Sequence, residues 1–251
     1  MHKSLLLLAC LAIAACSAPV TATVPPSPLP VRVAYSSTLG IIEDALHICA
    51  NDHPEIALIV DKRPVSSIDI KDNDITLWWG EKPAQVPFAY PIAQDELVVI
   101  LNQANPNSNL STKELLALYS GKVHNWDEIS TFQPTVSVWS YPQGNELRRI
   151  FDENILGYQR LTPLAFLAPN PQAMLEAVAS DPGAIGFIPL AWLNRDVNLT
   201  RIDQDLQNTI DKSVLALTYT KPQSGSLILL DCLQNGVGQA ALLEHFSPPK
   251  Q

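Results

Sequence analysis

From residue 31 onward the chain alternates short apolar runs with stretches whose apolar positions recur at helical spacing. Residues 31–35 form the first run, and Ile41, Ile42, Ala45, Leu46 and Cys49 follow at the three- and four-residue intervals that put one helix face against a core. Further runs at 56–60, 75–79, 97–101, 136–140, 185–188 and 214–220 predict strands, the one at 97–101 central. Ser111 and Glu114 precede Leu115, Leu116 and Leu118, a capping box in which each side chain satisfies the other's free backbone amide. Helices are also predicted over 144–156, over 171–180 with Pro171 in the first turn, and over 226–246. Strands followed by helices in this rhythm predict an α/β fold whose sheets are largely parallel and covered on both faces.

Composition narrows the function classes. The 251 residues are 47% hydrophobic and 16% charged, which excludes disorder for most of the chain. The formal net charge of −9 offers no basic surface to displace counterions from phosphates, so no nucleic-acid partner is expected. That charge does not exclude an anionic small molecule, because a cleft can be locally positive on an acidic protein.

The N-terminal segment departs from the globular pattern. Residues 4–15 form an apolar run behind Lys3 that is too short for the roughly 30 Å hydrocarbon core of a bilayer and reads as the h-region of a signal peptide. It ends in Ile13-Ala14-Ala15-Cys16, which resembles the bacterial lipobox, in which the cysteine receives the lipid. The expected organisation is therefore a lipoprotein signal peptide over 1–15, a lipidated Cys16, and a linker over 16–30 stiffened by five prolines. Two acyl-type anchors hold stably where one does not, so the protein is expected outside the cytoplasm, tethered to the bacterial membrane. Removing Lys3 with the signal takes the net charge to −10.

Cys49 and Cys232 remain once Cys10 is cleaved off and Cys16 is lipidated, and in an oxidising compartment they form either a bridge or two buried thiols. The five histidines have no ligand spacing, so neither a metal nor another cofactor is expected. Neither a nucleophile elbow nor a P-loop is present, and no enzymatic activity is expected. The string from Gly236 to Ala241 fits G-x-G-x-x-A but lies in a helical region with no strand before it, so it reads as chance. What the chain does carry is polar residues at strand-to-helix junctions: Ser36 to Thr38, Ser140 to Asn145 and Ala168 to Asn170. Such junctions lie beyond the carboxyl ends of strands, where α/β proteins bind ligands, although each taken singly is as well read as ordinary helix capping.

Three segments carry a family resemblance: residues 95–102, residues 110–126 with their Gly121-Lys122 turn and Asn125-Trp126, and residues 181–188. Together they resemble type II periplasmic solute-binding proteins, closest to the phosphate-binding class that feeds ABC importers. The resemblance implies two α/β lobes joined by two crossing hinge strands, near 96–101 and 214–220, with lobe I over 31–96 and 217–251 and lobe II over 97–216. It implies a ligand between the lobes, met by Ser36, Ser37 and Thr38 from the first and by Ser140, Gly144, Asn145 and Asn170 from the second.

The chain also departs from that family. Its phosphate binders carry an Arg and an Asp before a Gly-Ser-Gly-Thr-like turn, where this chain has Trp139 and Tyr141, with Gln143 and Asn145 in the Ser and Thr places. Arg148 or Arg149 could substitute for the missing arginine, while Trp78, Trp79, Trp139 and Tyr141 either line a stacking cleft or pack the lobes. The resulting expectation is a monomeric, lipid-anchored receptor that binds a phosphate-like anion or another small polar solute and delivers it to an ABC permease. The alternative is a sensory or regulatory lipoprotein that keeps the fold, has an altered or lost ligand site, and works through a membrane sensor.

Overall fold

The computed structural model describes residues 27–203 and 210–250; the signal peptide, Cys16 and the linker up to residue 26 lie outside the described residues. The chain forms an α/β structure around one continuous sheet in the spatial order β2-β1-β3-β9-β4-β7-β5-β6, with β8 paired to β4. Strand β1 (Leu29–Tyr35) lies parallel to β2 (Ile56–Lys62) and to β3 (Ile75–Trp79). Helix α1 (Glu43–Asp52) follows β1 after a 3-10 turn over Ser37–Ile42 and buries Ala45, Leu46 and Cys49.

Strand β4 (Phe88–Asn102) ties the molecule together. Its first part pairs antiparallel with β9 (Asp211–Thr218), from Phe88 opposite Thr218 to Glu96 opposite Asp211. From Leu97 to Leu101 it pairs instead with β7 (Ala184–Pro189), and from Val99 to Asn102 with β8 (Val197–Thr200). The sheet register therefore passes from one neighbour set to another at residues 96–97. Beyond β7 the sheet continues in parallel through β5 (Ser137–Ser140) to β6 (Phe166–Leu167).

The helices follow their local signals. The capping box at Ser111 and Glu114 opens α2 (Thr112–Tyr119). Asn145 caps α3 (Glu146–Phe151), which runs on through a π-turn over Asp152–Leu156, and Asn170 caps α4 (Pro171–Ser180). The two C-terminal helices, α5 (Ser224–Asn235) and α6 (Val237–Leu242), pack against α1, and a disulfide joins Cys49 of α1 to Cys232 of α5.

Three sequence expectations are corrected. The sheet is mixed rather than largely parallel, because β4 and β9 run against their neighbours. Strand β4 begins at Phe88, nine residues before the apolar run at 97–101, across polar residues and a proline. Pro91 is tolerated because the register slips between Pro91 and Ala93, so its missing N–H breaks no ladder. The final helix is split at Gly236, whose extended backbone ends α5. Strands β6 and β8 had no expectation, being two and four residues long and exposed along much of their length.

Candidate ligand cleft

The carboxyl ends of β1 and β2 face the turn that follows β5. Between them lies a cavity of about 350 Å³, lined on one side by Ser36, Ser37 and the segment Lys62 to Ser66. On the other it is lined by Pro142, Gln143, Gly144, Asn145 and Glu146, with Pro169 at its edge. Gly144 has φ +92°, a left-handed conformation that a side chain disfavours and a glycine adopts freely.

Ser36 sits at the N-terminal cap position of the turn after β1, yet its side chain makes no cap hydrogen bond. Its hydroxyl instead crosses the cleft and donates to Glu146 Oε1. Thr38 Oγ1 donates to the same oxygen at 2.5 Å. Glu146 is 8% exposed, so a carboxylate from one wall is held by two hydroxyls from the other in a largely dehydrated place. Trp192 Nε1 adds a third link across the molecule, donating to the Thr38 carbonyl at 2.7 Å.

Positive charge enters from β2. Lys62 Nζ lies 3.2 Å from Glu43 Oε1, and Arg63 pairs with Asp61. All four of these side chains are substantially exposed, so the pairs are weak, and each cation at the cavity is shared with a carboxylate. Behind the cradle, Tyr35 donates to Glu43 Oε1. Burial, reinforced by Glu43, pushes the Tyr35 phenol well above its ordinary value, and the same hydrogen bond holds Glu43 below the usual carboxylate range.

The expected ligand residues separate into three groups. Ser36, Ser37, Gly144 and Asn145 line the cavity. Thr38 is buried behind it, its hydroxyl committed to Glu146. The other four point elsewhere. Asn170 spends its side chain capping α4, accepting from Ala173 N at 2.9 Å. Arg148 turns back along α3, with Nε 2.7 Å from Asp152 Oδ1 and Nη1 near Ser140 Oγ and the Tyr141 carbonyl. Ser140 is itself fully buried beneath the turn. Trp79 is buried in the sheet, its Nε1 donating to Asp95 Oδ2 at 3.1 Å.

The aromatic residues pack the structure rather than the cavity. Tyr141 is buried and donates to the Phe187 carbonyl at 3.0 Å, and Trp139 stacks on Phe166 with centroids 5.1 Å apart. Trp78 donates to the Glu81 carbonyl. Sequence reasoning missed Lys62, Arg63 and Glu146. The rule applied at β1, that ligands gather beyond strand carboxyl ends, would have found the first two at the end of β2. Among the described residues no cluster of three or more His, Cys, Asp or Glu is arranged to hold a metal ion.

The buried Asp95 stands on β4 where its pairing changes hands. Its Oδ1 accepts from Glu96 N at 2.8 Å and from Ala191 N at 3.2 Å, while Oδ2 accepts from Trp79. Burial pushes its carboxyl up to about 7, against the pull of these hydrogen bonds.

Comparison with known proteins agrees with this architecture. The chain is 25% identical over 108 residues, 41% of its length, to protein SphX of Synechococcus elongatus, and that match spans 32% of SphX. A structure from Clostridium perfringens solved with bound phosphate, assigned to the phosphate ABC transporter substrate-binding proteins, superposes with a TM-score of 0.77. That pair is 20% identical over 88% of this chain and all of the other. An ABC-type phosphate transport receptor from Vibrio cholerae superposes with a TM-score of 0.69 at 18% identity, covering 87% of this chain and all of the receptor. At 20% and 18% identity, the likeness to these two structures is one of fold. The family model for the PBP superfamily domain matches residues 45–240, and the chain belongs to that family.

Proposed function

We propose that this protein is an extracytoplasmic receptor, lipid-anchored at Cys16, that takes a small polar solute into the cleft between the β1–β2 edge and the β5–α3 turn and presents it to an ABC permease. The observation that carries this reading is the cleft itself, where hydroxyls of one wall already reach an acceptor of the other at Ser36, Thr38 and Glu146. Closure of two lobes on a solute would use the same contacts, as a hinge motion about the shared strands. Lobe I then comprises the β1, β2, β3 and β9 side with the start of β4, and lobe II the remainder. The pairing of β9 with β3 and with residues 88–96 of β4 supports placing the return crossing along β9.

The relatives named for phosphate bring an oxyanion to the front of the solute class. Lys62 and Arg63 at the cavity favour one, and Glu146 opposes it. The relatives described as substrate-binding proteins and transport receptors support a role in binding without catalysis. A sensory role through a membrane partner is the second reading, favoured by the core placement of Trp139 and Tyr141 where phosphate binders carry charge.

Isothermal titration of the wild-type chain against oxyanions, amino acids and small polar solutes tests the reading. Saturable one-to-one binding that weakens when Arg63 becomes Ala is expected. Absence of binding across the panel, together with co-purification of a membrane sensor in place of a permease, would replace the transport reading with the sensory one.

A further inference from the structure

The cradle beyond β1 is already filled. Ser36 and Thr38 both donate to one oxygen of Glu146, and this carboxylate is more than nine-tenths buried. A solute oxyanion entering the same cradle would need those hydroxyls as donors and would meet a fixed like charge at hydrogen-bond distance. Two carboxylate-type charges that share a site in a low-dielectric environment repel strongly, and Glu146 could leave only by giving up both hydroxyl hydrogen bonds. Lys62 and Arg63 do not relieve the conflict fully, since each already faces a carboxylate, Glu43 and Asp61. Asn145 spends its Oδ1 on capping α3, accepting from Leu147 N at 2.8 Å, so only its Nδ2 could donate to an anion in the cavity.

We infer that Glu146 is the specificity-determining residue of the cleft: its carboxylate occupies the Ser36–Thr38 cradle as an internal anion and excludes inorganic phosphate from it. This deepens the reading of the cleft as a solute site and rests on it. The permitted solutes are those that present hydrogen-bond donors to Glu146 or bind beside it without displacing it. Shortening the side chain would vacate the cradle, free two hydroxyls and remove the opposing charge, leaving Lys62 and Arg63 as the dominant charges of the cavity.

Inorganic phosphate is titrated calorimetrically into the full wild-type chain in detergent and into Glu146→Ala and Glu146→Ser, with circular dichroism confirming that each is folded. The two substitutions are independent routes to the same vacancy, so one folded variant suffices. Phosphate affinity is expected to rise by roughly ten- to a hundred-fold in either variant, the factor that a charge-assisted hydrogen bond supplies. Glu146→Gln, which removes the charge but still fills the cradle, is expected to gain phosphate affinity, by less than the two shortened variants, since the hydroxyls remain engaged. Wild type that binds phosphate as tightly as the shortened variants overturns the inference and leaves the solute-receptor reading standing. Folded variants that gain no phosphate binding also overturn it, and the solute panel on wild type then decides the receptor reading separately.

Discussion

Thr38 Oγ1 lies 2.5 Å from Glu146 Oε1, and these two residues stand 108 positions apart on opposite walls of the cleft. A threonine hydroxyl donating to a buried carboxylate is a charge-assisted contact, stronger than one between neutral groups.

Thr38→Val keeps the shape of the side chain and deletes the donor. The expected result is a loss of about 1–3 kcal/mol in unfolding free energy, the usual range for a hydrogen bond to a charged group, with secondary structure unchanged. Chemical denaturation read by tryptophan fluorescence measures it. A variant as stable as wild type would mean that the contact is made at no net gain.

The disulfide between Cys49 and Cys232 closes a loop with a sequence separation of 183 and fastens α1 to α5. Constraint of the unfolded chain across so long a loop is expected to stabilise by about 2–5 kcal/mol. Thermal unfolding with and without dithiothreitol should therefore differ by roughly 5–15 °C for a domain of this size. Identical melting curves, with reduction verified by thiol titration, would contradict this.

Asp95 sets a pH dependence whose sign is fixed by burial. Its carboxyl titrates near 7 when folded and near 4 when unfolded, so the folded protein binds the extra proton between those values. The contribution of Asp95 to stability is therefore fully present below about pH 4 and is lost as pH rises towards 7. Asp95→Asn should flatten the stability profile across that window while leaving the profile above pH 8 parallel to wild type. A wild-type profile whose slope between pH 4 and 7 is unchanged by the substitution would show that Asp95 does not titrate there.

Gly238 belongs to the G-x-G-x-x-A string and has a packing role instead of a nucleotide-binding one. A Cβ added to it would lie 2.2 Å from Cys49 Sγ and 3.1 Å from Cys232 Sγ. Gly238→Ala is expected to destabilise by about 1–3 kcal/mol through overpacking against the bridge. Equal midpoints in a denaturant titration would count against that account.

These particulars show which features local patterns can carry. Helix α4 was legible to the residue, because Asn170, Pro171 and the apolar spacing are local signals that need no partner. The hydroxyls at Ser36 and Thr38 were legible as polar residues at a strand end, but not their destination. A capping reading is local, whereas a hydrogen bond to Glu146 depends on the sheet bringing residues 36 and 146 together. The start of β4 was hidden for the same reason: residues 88–96 mix polar groups with Pro91, and only pairing with β9 makes them a strand. Arg148 had the right chemistry for an anion, but its nearest carboxylate, Asp152 one helical turn away, claims it. The tryptophans could be read either way from sequence, and burial decides for packing: Trp79 is 3% exposed.

The central claim is that solute enters between the β1–β2 edge and the β5–α3 turn. Amide chemical-shift mapping of the isotope-labelled chain, titrated with the tightest solute from the binding panel, tests it directly. The account predicts that the largest saturable shifts fall on Ser36, Ser37, Arg63, Gly144 and Asn145, on both walls together. Shifts confined to one wall, or centred on the separate groove around Lys71 and Tyr219, would contradict it.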